Sequence, residues 1–195
     1  MGWKEPGMSY IDEIILRKRE EKKSEQHTSL DDGIYIEGAV LEFERRRILE
    51  KFSLMVPAAW KSMPDKYARI KYPSEFRPQE IITSPDLGVN LGFTIFQQEV
   101  QGDTPAVVEK MQMVIHRANP DFQIYKGGSI EKVGGAWFAF RSHSLDSDLY
   151  NMMLAVKVDE LSIQGIFNCP YQEWTSWKKV ALQMWETIKA ERKGL

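Results

Sequence analysis

The stretch "KFSLMVPAAW", residues 51–60, decides the fold because it begins as a regular alternation and then stops at a proline. Its apolar residues fall on one face of a predicted strand, namely Phe52, Leu54 and Val56. Pro57 cannot continue a hydrogen-bonded ladder, so we expect the strand to end there. Trp60 is then expected to fold back and cap one end of the core.

Composition sets the class of protein. The 195 residues suit one domain with an appendage, and the 43% hydrophobic content is enough for a sizeable core. A net charge of -2 argues against a nucleic-acid partner. The single cysteine, Cys169, excludes an intramolecular disulfide, and no run approaches the length of a membrane span or a signal peptide. These features predict a cytoplasmic protein.

Upstream of the strand lies a predicted helix at 8–26, followed by the polar linker "HTSLDDG" that closes at Gly33. We therefore divide the chain into a helical extension, 1–32, and a domain, 33–195. The helix carries a short apolar stripe: Met8, Ile11, Ile14 and Ile15. Such a stripe is too short to hold a helix alone, so it packs on its own domain, pairs with a second copy or binds a client. A flexible linker favours the last two.

Strand patterns surround the opening stretch. "IYIEGAVLEF" and "RILEKFSLMV" predict two strands with "ERRR" near their turn, and 80–84 and 88–100 predict two more around "SPDLG". The chain from Phe122 to Cys169 predicts a four-stranded antiparallel meander with turns at Gly134-Gly135, "DSD" and "DE".

Two helices are predicted in the domain. The first spans 104–118, with Thr104 as N-cap, Pro105 at the first position and an end at Asn119-Pro120. Its predicted buried face holds Val107, Val108, Met111, Val114 and Ile115. The second spans 171–192 and carries a stripe at steps of three and four: Trp174, Trp177, Ala181, Met184 and Ile188.

This order of elements resembles the PsbP-like superfamily, which includes the PsbP subunit of photosystem II, a Ran-binding import factor of yeast, the envelope protein DcrB and the Eag chaperones. The resemblance is carried by "FSLMVPAAW", "DTPAVVEKM", "GGAWFAF" and the Trp-rich last helix, and it covers about residues 33–193. It implies an α+β fold, an antiparallel sheet flanked by helices in an α/β/α sandwich, with the N-terminal helix as an extension. It also implies a function that works mostly by binding.

No catalytic or metal-binding pattern is found in the sequence. His27, His116 and His143 have no metal-ligand spacing, and we expect a structural or surface role for each. Cys169 ends an apolar strand and is expected to be buried and inert. "GGSIE" lacks the closing glycine of a nucleophile elbow, and "DSD" lacks the remaining ligands of a calcium loop. No metal, cofactor or catalytic residue is predicted.

Five residues are candidates for contact with a partner: Ile11, Ile14, Ile15, Met153 and Trp185. Trp185 flanks the stripe of the last helix and is expected to be partly exposed. Met153 lies on the strand face opposite Met152 and Leu154, where it either adapts to an apolar partner or fills space under a covering helix. "RRR" at 45–47 fits a solvated hairpin end better than an acidic partner.

The sequence therefore predicts a non-enzymatic protein-binding module. Its most concrete version is an Eag-like chaperone or adaptor that shelters a hydrophobic segment of a secreted effector, and a homodimer is one possible assembly. The alternative is a small-molecule or lipid-binding domain with a pocket between the sheet and the C-terminal helix. A deep closed cavity would favour the alternative, and a broad groove would favour protein binding.

Overall fold

The structure of the protein is a computed structural model that describes residues 10–36, 38–96, 102–143 and 147–191, with only the backbone described at 10–13. Within these ranges the α-helices are α1 Tyr10–Gln26, α2 Asp65–Lys71, α3 Thr104–Ala118 and α4 Trp174–Glu186. The strands are β1 Thr28–Ser29, β2 Gly33–Ile36, β3 Ala39–Leu41, β4 Phe43–Ile48, β5 Phe52–Pro57, β6 Lys61–Ser62, β7 Glu80–Thr83, β8 Asn90–Phe96, β9 Gln123–Ile130, β10 Gly135–Ser142, β11 Leu149–Val158, β12 Leu161–Pro170 and β13 Lys189–Ala190.

Seven strands form the main sheet, in the order β6-β7-β8-β12-β11-β10-β9. Strands β9 to β12 are the predicted meander, and β12 then pairs with β8, from Ser162 opposite Phe96 to Asn168 opposite Asn90. Every pair in the sheet is antiparallel. The predicted α+β class is therefore confirmed.

One face of the main sheet is covered by α4 together with a small sheet of order β13-β5-β4. Trp177 is 5% exposed and Met184 is fully buried, as the stripe predicts, whereas Trp174 stays half-buried. Trp60 is also buried, with its ring centroid 5.6 Å from that of Trp177. The expectation that Trp60 caps the core is confirmed, and Pro57 is the last residue of β5.

The opposite face carries α3, which packs on β10 and β11. The apolar cluster between the helix and the sheet contains Val108 of α3 and the strand residues Ala136, Phe138, Phe140, Met153 and Ala155. Helix α3 has the predicted bounds, but its N-cap is Asp103, whose Oδ1 accepts a hydrogen bond from Ala106 N at 2.9 Å. Val114 is 67% exposed, because the helix rests on the sheet through its Val108 side.

Chain 33–57 differs from the prediction, because each of the two predicted strands is a hairpin of shorter strands. One of the missed turns lies at Leu49-Glu50, whose φ angles of 49° and 56° are left-handed. Residues of these types rarely adopt that conformation, so the turn carries no sequence signal. "ERRR" consequently lies inside β4 rather than at its end, and Arg45 donates a hydrogen bond to Thr187 O at 3.1 Å.

The predicted linker is also a hairpin. Thr28 pairs with Ile34 in β1-β2, and Ser29 Oγ donates to Asp32 Oδ2 at 2.9 Å. The polar residues form the turn by bonding within it, so "HTSLDDG" is not the flexible connection that its composition suggested. Gln183 of α4 further donates to Thr28 O at 3.2 Å, which ties the hairpin to the domain.

The C-terminal helix is shorter than predicted. A 3₁₀ turn at Tyr171–Glu173 precedes α4, and β13 follows it and pairs with Phe52 and Ser53 of β5. Met8, the side chain of Ile11, Asp146 and residues 97–100 and 192 lie outside the described residues. None of the described helices is long and apolar enough to cross a membrane.

Candidate functional site

A groove runs over the part of the main sheet that α3 leaves open. Its floor is built by facing residues of β8 and β12, where Thr94 pairs with Gln164 and Gly92 with Ile166. The groove has a volume of about 660 Å³. Its walls are the segment 72–78 on one side and the C-terminal end of α3 with Phe122 on the other.

The alternation of the strands explains why this region is open. The residues of β10 and β11 that face α3 are apolar, among them Phe138, Phe140 and Met153. On the same face of β8 and β12 the floor residues include Gly92, Thr94 and Gln164, which are small or polar. Such residues gain little from burial, so this half of the face needs no covering helix.

The first end of the segment 72–78 is held by a chain of hydrogen bonds across the sheet. Asn168 Nδ2 donates to Tyr72 Oη at 2.7 Å, and Asn90 Nδ2 donates to Asn168 Oδ1 at 2.9 Å. Thr83 Oγ1 then donates to Asn90 Oδ1 at 2.7 Å. Burial around the Tyr72 hydroxyl raises its pKa to about 12, against the opposing effect of the bond from Asn168.

The second end is held by close packing. A Cβ atom at Gly92 would lie 2.7 Å from Pro78 Cγ and 3.0 Å from Ile166 Cγ2, so only glycine lets Pro78 sit on the sheet. The next residue, Gln79, accepts a hydrogen bond from Ile95 N at 3.0 Å through Oε1 and donates to Ile95 O at 3.3 Å through Nε2. The segment is thus fixed at both ends.

Phe76 lies at the tip of this fixed segment and is 94% exposed. Its backbone N donates to Ser74 Oγ at 3.1 Å, and Arg77 N donates to Ser74 O at 3.2 Å, so the tip has internal bonds of its own. Across the groove, Phe122 stacks on Phe140 with ring centroids 5.6 Å apart. The groove is therefore bordered by an exposed aromatic ring on one wall and by a stacked aromatic ring on the other.

The charged residues that line the groove are basic: Lys71, Arg77 and His143. Two of them are engaged, since Lys71 Nζ donates to Leu87 O and His143 Nδ1 lies 2.7 Å from Asp148 Oδ1. The bonds from His143 and Arg141 lower the pKa of the Asp148 carboxyl. Within the described ranges, the Arg77 guanidinium is in no ion pair and no side-chain hydrogen bond.

The predicted partner-contact residues fall in different places. Ile14 and Ile15 are 38% and 43% exposed on α1. Trp185 is fully buried, so its expected exposure is wrong: α4 contacts β12 on one side and β5 on another, which buries two of its faces. Met153 is 5% exposed and lies in the cluster beneath α3, where it fills space under the covering helix.

The groove itself was missed by sequence reasoning, although β12 carries a signal for it. Alternate residues of the strand are mostly polar on one face, namely Ser162, Gln164, Ile166 and Asn168, and mostly apolar on the other. A covered strand would be apolar on both faces. This contrast with β10 identifies the half of the sheet that has no helix above it.

The residues considered for chemistry lie apart from the groove or already have partners. Cys169 is fully buried, and this burial raises the pKa of its thiol. His27 Nδ1 lies 2.7 Å from Asp32 O in the β1-β2 turn. Across the described part of the chain, no three His, Cys, Asp or Glu side chains are grouped so that they could hold a metal ion.

Comparison with known proteins shows which solved structures have a similar fold. No family model and no curated protein matches the sequence. Among solved structures, cyanobacterial PsbP from Synechocystis sp. PCC 6803 superimposes with a TM-score of 0.56 and 10% identity over 82% of this chain and 98% of that one. LpqN of Mycobacterium tuberculosis, described as involved in cell envelope biogenesis, superimposes with a TM-score of 0.53 and 12% identity. The match covers 85% of this chain and 99% of that one.

The Ran-binding protein Mog1p of Saccharomyces cerevisiae gives a TM-score of 0.52 with 9% identity, over 76% of this chain and 95% of that one. These likenesses show that the chain shares the fold of cyanobacterial PsbP, LpqN and Mog1p. The resemblance inferred from "FSLMVPAAW" and the Trp-rich helix is confirmed at the level of the fold.

Proposed function

We propose that this protein is a non-enzymatic protein-binding module that uses the groove on the open half of its main sheet. One observation carries the proposal: Phe76 is 94% exposed on a segment fixed at both ends. A partner that buries this ring gains on the order of 1.5–3 kcal/mol. Because the segment is already ordered, little of that gain is lost to ordering on binding.

The groove also favours one of the two functions expected from the sequence. It is wide and bordered by an exposed ring, which favours a protein partner. A pocket for a lipid or small molecule between the sheet and α4 has no comparable support, because Trp177, Met184 and Trp185 fill that layer. The chaperone or adaptor role for a secreted effector is the specific form of the proposal, and we place it in the cytoplasm.

Helix α1 is a second surface for a partner or for another copy of this chain. Ile14, Ile15 and Leu16 are all exposed on it. Contact with the domain is seen near its C-terminal end, where Lys23 Nζ lies 5.9 Å from the centre of the Tyr35 ring. We propose that this apolar stripe, with Ile11, binds a client or pairs two copies as a homodimer.

The test is site-specific photocrosslinking in living cells of the source organism. A photoreactive phenylalanine analogue replaces Phe76 in the full chain, and irradiation is expected to give an adduct of discrete mass. The matched control carries the analogue at Met113, which is 64% exposed on the other side of α3. The Gly92→Ala substitution, which displaces Pro78, is expected to reduce the adduct at position 76.

Two results would contradict the proposal. One is the absence of any adduct at position 76, and the other is an adduct of equal yield at position 113. Both would show that the exposed ring is no more a contact site than an ordinary surface residue.

A further inference from the structure

We propose that the groove takes an extended segment of a partner protein, which presents a carboxylate to Arg77 and an apolar side chain to Phe76 and Phe122. This inference rests on the proposed function and names the kind of partner that the same groove fits. It is carried by four features of the described residues: the length of the open strip, its apolar wall, the polarity of its floor and the sign of its charge.

The open strip has the dimensions of a short extended chain. Between Gly92 and Phe96, β8 advances four residues, which is about 13 Å at the usual rise of a strand. The strip continues past Gln164 to a second, smaller cavity beside the N-terminal end of α3, where Phe96, Val107 and Met111 meet. Phe96 is 42% exposed there. About five residues of an extended peptide therefore span the strip from Gly92 to Phe96.

One wall of this strip is an apolar edge of α3. Val107 and Met111 line the smaller cavity, and Val114 follows them one turn further on the same side of the helix. Val114 is 67% exposed. The edge and Phe122 thus offer apolar contacts along the strip, at intervals that suit alternate side chains of an extended segment.

The floor supplies hydrogen-bonding groups for a backbone. Thr94 and Gln164 face each other across β8 and β12, and both side chains are half-buried. Within the described ranges neither side chain is bonded to another group. A peptide that lies over them offers the amide N–H and carbonyl groups that they require, whereas an acyl chain offers none.

The positive charge of the residues that line the groove favours an acidic residue in the partner segment. The groove is lined by Lys71, Arg77 and His143 and by no carboxylate among the described residues. Lys71 and His143 are already engaged with Leu87 O and Asp148, which leaves the Arg77 guanidinium for a ligand. A guanidinium binds a carboxylate through two parallel hydrogen bonds. A single unengaged cation suits one carboxylate better than a polyanion such as nucleic acid or an anionic membrane.

The experiment selects peptides from a phage-displayed library of random dodecapeptides on the immobilised full-length protein. The wild type is expected to enrich Asp or Glu within a few positions of Leu, Phe or another large apolar residue. Arg77→Glu is expected to enrich Lys or Arg at that place instead. A synthetic copy of an enriched peptide should lose about tenfold in affinity, measured by fluorescence anisotropy, when its Glu becomes Gln.

Matched controls separate the groove from the rest of the surface. Lys126→Glu makes the same charge change on β9, at the far edge of the sheet, and is expected to enrich the same peptides as the wild type. Arg77→Gln removes the positive charge without reversing it. It is expected to weaken the preference for Asp or Glu in the peptides without replacing it by a preference for Lys or Arg. Circular dichroism of each variant must match that of the wild type before its peptides are compared.

Three outcomes would overturn the inference. They are enrichment of no peptide, enrichment without an acidic preference, and an acidic preference that survives Arg77→Glu. Binding of phosphatidylserine vesicles that depends on Arg77, without peptide enrichment, would assign the groove to a lipid surface instead. If the adduct at position 76 still forms in cells, the protein-binding function stands and only the acidic, extended partner is wrong. Failure of both experiments rejects both.

Discussion

Replacing Tyr72 by Phe tests whether the groove wall is seated on the sheet as the structure shows. The substitution removes the hydroxyl that accepts a hydrogen bond from Asn168 Nδ2 at 2.7 Å and leaves the ring in place. Asn168 is 6% exposed, so the freed N–H has little access to water. Loss of one partner from such a buried pair costs about 1–3 kcal/mol, and we expect Tyr72→Phe to lower the free energy of unfolding by that amount at neutral pH.

The same substitution should behave differently in alkali. The pKa of Tyr72 rises from 10.0 to about 12 in the folded protein, chiefly because the hydroxyl is buried. A raised pKa contributes stability that is fully present below the unfolded value of 10.0 and is lost as the pH rises through about 12. Since a tenfold change in an ionisation constant corresponds to about 1.36 kcal/mol, this rise in the pKa corresponds to at most about 2.7 kcal/mol.

The difference in the free energy of unfolding between the wild type and Tyr72→Phe should therefore shrink as the pH rises. From pH 10 to about 12 the wild type loses this contribution, whereas Tyr72→Phe has no hydroxyl to ionise at that position. By the upper end of this range the advantage of the wild type is expected to disappear or reverse. Urea denaturation followed by circular dichroism at several pH values measures both effects on the same samples.

The control is Tyr67→Phe on the neighbouring helix α2. Tyr67 is 42% exposed, and its hydroxyl has no hydrogen bond among the described residues, so no loss of stability is expected at neutral pH. A stability difference between wild type and Tyr72→Phe that stays constant from neutral pH to about pH 12 would refute the reasoning. It would mean that the Tyr72 hydroxyl is in water and that the segment 72–78 is not held at that end.

Four further predictions test other parts of the molecule. Trp177→Ala should lower the free energy of unfolding by about 3–5 kcal/mol in urea denaturation, and a loss below about 1 kcal/mol would show that the stripe of α4 faces water. Gly92→Ala should cost about 1–3 kcal/mol, because the new Cβ overlaps Pro78, and a neutral effect would contradict that packing. A chain that begins at His27, which keeps the β1-β2 hairpin, should melt within a few degrees of the parent while its mass by light scattering or its client binding changes. A collapse of its melting temperature without either change would show that α1 is part of the core. Elemental analysis of the purified protein should find no stoichiometric zinc.

Local signals were sufficient for helix α3 and for the meander, and they predicted the position of α4 but not its bounds of Trp174–Glu186. Helix α3 begins and ends at the residues predicted from Thr104 and from Asn119-Pro120. These signals are local because Pro105 suits the first turn of a helix and Pro120 limits its continuation. The period of the α4 stripe likewise predicted the burial of Trp177 and Met184.

Contacts between distant parts of the chain explain what the sequence did not show. The turn at Leu49-Glu50 is bonded from outside, where Leu49 N donates to Glu80 Oε2 at 2.8 Å. The burial of Trp185 depends on the contact of α4 with β5, which no periodicity within α4 contains. The groove likewise exists because Pro78 meets Gly92 and because Asn168 reaches Tyr72.

The hydrogen-bonded chain under the groove is better explained by position than by stability. A buried row of Thr83, Asn90, Asn168 and Tyr72 contributes little net stability over apolar residues of the same shape, because each bond replaces one to water. Apolar contacts have no directional preference, whereas a hydrogen bond between a hydroxyl and one amide group fixes the position of that hydroxyl. Tyr72 is that hydroxyl, and it begins the segment whose tip carries Phe76. The sheet therefore uses polar residues to place one exposed ring and Arg77 beside an open floor, which is the arrangement that a binding site requires and a closed core does not.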